Sequence, residues 1–101
     1  MIKHVVLFKL AAEAEGNTRA RNAQIMKEQL EALKDKIDVI RHISVNINHA
    51  DAASDNYDVM LDSEFDSLED LQQYIVHSEH QKVGQFIAKV REGRAAIDYE
   101  F

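Results

Sequence analysis

Cysteine, proline and tryptophan are absent from this chain of 101 residues, and glycine occurs only three times. Without cysteine there can be no disulfide framework, no thiolate metal site and no cysteine nucleophile, and a cytoplasmic setting is expected. Without proline, the turns fall to Asp, Asn, Ser and the few glycines. Long apolar runs are missing too. The opening MIKHVVLFKL is interrupted by Lys3, His4 and Lys9 and precedes no small-residue cleavage site, so it does not read as a signal peptide. No run approaches the ~20 apolar residues of a membrane span. Basic residues are missing from one stretch: positions 51–70 carry eight acidic side chains and no Lys or Arg, so that window holds −8 of a net charge of −6 and the remainder +2. A polyanion needs a clustered basic face, so neither nucleic acid nor an anionic membrane is an expected partner. The EF-hand spacing is absent from the acidic window, which reads as a solvated loop and the outer faces of its neighbours rather than as a calcium site.

With 46% apolar and 30% charged residues, the chain has the composition of one soluble globular domain covering 1–101. Ile2 to Leu10 alternates with His4, Val6, Phe8 and Leu10 on one side and Lys3, Val5, Leu7 and Lys9 on the other, which predicts a strand apolar on both faces at its centre. A loop over Ala11–Asn17 follows, and Asn17 or Thr18 can cap a helix over about 18–36 with a stripe of Ala20, Ala23, Met26, Leu30, Leu33 and Ile37. The period switches to two for a strand over Val39–Asn48. After a polar loop over 49–56, a third strand runs over Tyr57–Phe65, antiparallel to the second. Ser67 with Asp70 resembles a capping box, opening a helix that buries Leu68, Leu71 and Ile75. A second helical stripe (Val83, Phe86, Ile87, Val90) is expected to stop near Gly93. Ala95 to Phe101 alternates as a closing strand.

This order is the split β-α-β arrangement of an α+β, ferredoxin-like fold: a four-stranded antiparallel sheet with helices on one face. Nothing in the chain remains to cover the other face, so an identical subunit related by a two-fold axis is expected there, the pair forming a dimeric α/β barrel or sandwich.

Five histidines titrate nearest neutral pH, and three stand out. His4 lies on the apolar, helix-covered face, where a core histidine bonded to a backbone carbonyl and a pocket histidine are both open readings. Tyr74, His77 and His80 are three apart. An unbroken helix would spread Tyr74 and His80 ~120° apart, so they converge only if the helix breaks, for which the gap between Val76 and Val83 leaves room at His77 and Ser78. The HxxH spacing lacks a further ligand to complete a metal site, and no metal is expected.

The opening KHVVLFKL and the stretch YIVHSEHQKVGQFI running into IDYEF resemble the stress-responsive dimeric A/B barrel (Dabb) family over essentially the whole chain. Its motif usually reads Tyr-x-x-His-Pro-x-His; here Ser78 stands in place of the proline. The resemblance implies the homodimer. Many members are known only as stress-associated proteins, but a plant polyketide cyclase of the family performs a cofactor-free aldol cyclisation with dehydration. Its catalytic tyrosine and histidine would fall on Tyr74 and His80, and its pocket histidine on His4. On that reading His80 is the general base, Tyr74 stabilises the enolate, and no cofactor is needed. The other reading is a non-enzymatic barrel that binds a small apolar or aromatic molecule at the same pocket.

Overall fold

The alternation at the N-terminus becomes one of the two inner strands of the sheet. In the computed structural model, which describes residues 1–101, β1 (Ile2–Leu10) is buried at every even position from Ile2 to Leu10 and half-buried at every odd one. A two-residue turn, Glu15-Gly16, then joins β2 (Glu13–Ala14) to β3 (Asn17–Thr18). Both turn residues have positive φ, 52° and 77°, the combination that lets a tight hairpin follow the twist of its strands. The expected loop is therefore a small hairpin, made possible by one of the three glycines.

Thr18 caps α1 (Arg19–Ala32), its hydroxyl accepting from the Arg21 N–H at 3.2 Å. The helix tightens into a 3-10 turn over Leu33–Asp35, ending the α-helical part sooner than the apolar stripe suggests, although Leu33 and Ile37 remain buried. β4 (His42–Ile47) starts three residues later than the alternation predicts. Ile40 turns into the core, and the Arg41 N–H already bonds the Glu64 carbonyl at 2.9 Å. β5 (Val59–Phe65) also starts late, because the Asp58 carboxylate reaches across to accept the Leu10 N–H at 2.7 Å and ties the preceding loop to the end of β1.

Ser67 caps α2 (Leu68–Val76) through the Asp70 N–H at 3.1 Å. The buried edge of this helix is Leu71 and Tyr74; Leu68, 62% exposed, and Ile75 face outward, contrary to the stripe expected for them. The helix turns Leu71 and Tyr74, three apart, toward the sheet and leaves Leu68 and Ile75 on its outer side. His77 breaks the helix with an extended backbone (φ −64°, ψ 138°) and at once caps α3 (Ser78–Val90), its Nδ1 accepting from the Glu79 N–H at 3.1 Å. The break that a proline would impose is thus made by histidine capping. α3 ends when Arg91 turns extended, and β6 (Arg91–Glu100) begins directly, so Gly93 lies within a strand rather than at a helix stop.

All pairs are antiparallel in the sheet order β4-β5-β1-β6. The core lies between the three helices and the face bearing Val6, Phe8, Leu61 and Phe65. At the outer edge of the sheet, Glu31 accepts the Val45 N–H at 3.0 Å while Lys27 donates to the Val45 carbonyl at 2.6 Å and to Glu31 at 2.9 Å. Burial alone would raise the Glu31 carboxyl, but Lys27 and the Val45 amide outweigh it and hold the group below its ordinary value. The opposite face of the sheet has no helix over it.

Candidate functional site

His4 is in the first strand and Tyr74 and His80 lie some seventy residues on, yet the fold brings the three rings together. Tyr74 is completely buried, its ring centroid 6.3 Å from that of His4, 4.4 Å from that of His80 and 5.0 Å from that of Phe65. The His77 break redirects the chain so that His80, in the first turn of α3, folds back over the end of α2. Its Nδ1 lies 3.0 Å from the Ile75 carbonyl oxygen. A carbonyl only accepts, so Nδ1 carries the proton and the neutral ring keeps a free lone pair on Nε2.

The electrostatics favour that neutral form. Desolvation lowers the His80 pKa from its ordinary value; the Ile75 carbonyl opposes this, and His4, Arg94 and His77 add to the lowering. Burial moves Tyr74 the other way, well above the usual tyrosine range, so its hydroxyl stays protonated. That buried hydroxyl has no hydrogen-bond partner within the chain. Leaving such a group unpaired costs about 1–3 kcal/mol, a cost that a ligand oxygen accepting from it would remove.

His4 is 6% exposed. Its Nδ1 is 2.5 Å from a carboxylate oxygen of Asp98, its cross-strand neighbour on β6. The histidine is therefore held by a side-chain carboxylate rather than by the backbone carbonyl that a simple core role would use. Nothing in the sequence alone marks Asp98, although the alternation of β6 does set it on the face opposite Ile97 and Tyr99. The missing information was the β1–β6 register.

Beside His4 and His80 is a cavity of about 160 Å³; Tyr74, packed against both rings, is not among the residues that line it. The sheet lines it with His4, Val6, Phe8 and Leu61, α1 with Leu30, α3 with His80, Gly84, Ile87 and Ala88, and β6 with Arg91 and Arg94. The wall is mostly apolar, with polar groups confined to the two histidines and two arginines. One other group of ligand-type side chains comes together, His42, Asp62 and Glu64, on the face without helices. Lys3 already lies 3.0 Å from Asp62 and 2.8 Å from Glu64, which supplies those carboxylates with a cation from the chain itself.

Residues 2–101 match the family described as the Stress Responsive A/B Barrel Domain, Dabb, and the chain belongs to that family. A dimeric protein of unknown function with a ferredoxin-like fold from Bacteroides fragilis is 40% identical, superposes with a TM-score of 0.88, and is matched over 99% of this chain and 95% of its own. A dimeric ferredoxin-like protein from Thermobifida fusca, 20% identical, has a TM-score of 0.82 with coverage of 99% and 90%. The hydroxynitrile lyase of Passiflora edulis shares the fold at 10% identity, with a TM-score of 0.76 and coverage of 97% and 90%. No curated protein matches the sequence.

Proposed function

We propose that this Dabb protein is a homodimer whose pocket binds a small apolar or aromatic carbonyl compound and removes a proton α to the carbonyl, without a cofactor. The observation that carries the reading is the pairing of a buried, unpartnered Tyr74 hydroxyl with a His80 whose Nδ1 is fixed by the Ile75 carbonyl. In the proposed step the C–H proton passes to His80 Nε2, the C–H bonding electrons become the enolate, and the Tyr74 O–H donates to the enolate oxygen. The enolate carbon is then available to attack a second carbonyl, as in an aldol cyclisation. Dimerisation is supported by the uncovered sheet face and by the dimeric relatives of B. fragilis and T. fusca.

The test uses pentane-2,4-dione in D2O, with deuterium incorporation at its central carbon followed by NMR. The wild-type protein should accelerate exchange. His80→Ala should return it to the background rate, and Tyr74→Phe should lower the acceleration by about 10²-fold or more, as deletion of one oxyanion donor does. Activity should fall as acid protonates His80, with the midpoint below the ordinary histidine value because desolvation lowers that pKa. Binding of the diketone with no acceleration would leave a binding protein and remove the proton-transfer step.

A further inference from the structure

Arg91 and Arg94 line the same cavity, although an uninterrupted strand would place residues three apart on opposite faces. A bulge produces the coincidence. Phe8 pairs with Arg94 and Lys9 with Gly93, but Leu10 pairs with Arg91, so Glu92 is the unpaired extra residue and the face of Arg91 is switched. Re-aiming a side chain in this way is what bulges beside binding sites do.

We infer that the pocket selects a small organic acid, an apolar or aromatic body filling the cavity with its carboxylate held at the mouth by Arg91 and Arg94. This rests on the reading of the cavity as a small-molecule site and adds the class of ligand. Three observations lead to it. First, the two guanidinium groups that line the cavity have no anionic partner of their own: Arg19 lies 3.9 Å from Asp58 and Arg41 2.8 Å from Asp66, whereas no carboxylate of the chain is within ion-pair distance of Arg91 or Arg94, nor of Arg21, which lies exposed on α1 away from the cavity. The nearest acid along their face of β6, Asp98, is engaged by His4. Second, the arrangement is graded. Tyr74 and His4 are buried, His80 is half-buried, and both arginines are exposed, so charge recognition sits outermost and the proton-transfer groups innermost. Third, the volume is close to the roughly 150 Å³ of an apolar cavity that accepts benzene, which limits the body to about one ring. A planar guanidinium matches a carboxylate through paired N–H donors, and two of them converging on one opening in a protein of net charge −6 make a local exception to its repulsion of anions.

The experiment is an NMR titration of the full chain with benzoate and, separately, with benzamide as its neutral isostere. Benzoate should bind at least about tenfold more tightly, as a charge-assisted pair allows. The gap should narrow with added salt because the arginines are exposed. The double variant Arg91→Gln/Arg94→Gln should lose the gap while keeping benzamide affinity within about twofold, and lysine at both positions should restore part of it. Equal affinity of the two probes for wild-type protein, or a gap that survives in the double variant, overturns the inference and leaves the pocket reading standing. If neither probe perturbs the resonances of His4, Tyr74 and His80, the inference and the pocket reading fall together.

Discussion

Val5 and Val6 are consecutive, identical side chains of one strand with different surroundings. Val6 is 1% exposed beneath the helices, aligned with Leu61 and Ala96, whereas Val5 is half-buried on the helix-free face between Asp62 and Ile97, the latter 60% exposed. The covered face is complete: its apolar rows meet α1, α2 and α3, and its buried polar members His4 and Ser63 each have a partner within the chain. The other face mixes Val5, Leu7, Met60 and Ile97 with the Lys3–Asp62–Glu64 cluster, a composition closer to an interface core with a polar rim than to a solvated surface. In the proposed homodimer, stability within one chain and association between chains fall on opposite sides of a single sheet.

The sharpest way to separate the two sides is truncation in the covered core. Phe65→Ala, at a position with no exposed surface and in contact with Tyr74, should cost about 3–5 kcal/mol in denaturant unfolding at any protein concentration. A loss that depended on concentration would mean that the core is shared between subunits. On the other side, Leu7→Lys places an unpaired charge in the proposed interface. By sedimentation the wild-type protein should have close to twice 11.6 kDa, and the variant should be a folded monomer. A wild-type protein that stays monomeric and folded at micromolar concentration would break the comparison. The smallest effect comes from the two valines themselves. Val6→Ala should cost about 1–2 kcal/mol whatever the concentration, while Val5→Ala should cost less, with a penalty that disappears on dilution below the dimer's dissociation constant.

That one face is covered by helices and the other is not was legible in the sequence, because a period of two marks which residues share a face and too few helices remained for both. The meeting of His4, Tyr74 and His80 was legible to the same degree. Strand parity placed His4, and the gap after Val76 marked the break that redirects His80. What escaped were features settled by pairing rather than by pattern. The hairpin at Glu15-Gly16 is too short to show a period. Leu68 and Ile75 fit an apolar stripe, but α2 turns Leu71 and Tyr74 to the sheet and leaves those two outside. Gly93 looks like a helix stop until the bulge opposite Lys9 and Leu10 is known, and that same bulge moves Arg91 to the pocket face. Asp98 acquires its role only through the β1–β6 register.

The Lys27–Glu31 clasp on Val45 has a consequence for how far copies of this chain can assemble. An open strand edge is a template for adding another strand, and two open edges allow addition to continue into a fibre. Here one border of the sheet is already occupied at its midpoint by side chains of α1, while the ten-residue border at β6 is free. A dimer packed face to face leaves both borders of each sheet as they are, so strand addition has only β6 to start from and the clasp on Val45 denies it a second border from which to grow into a fibre. Detaching Glu31 and Lys27 from Val45 would remove that terminator and open a second border to strand addition.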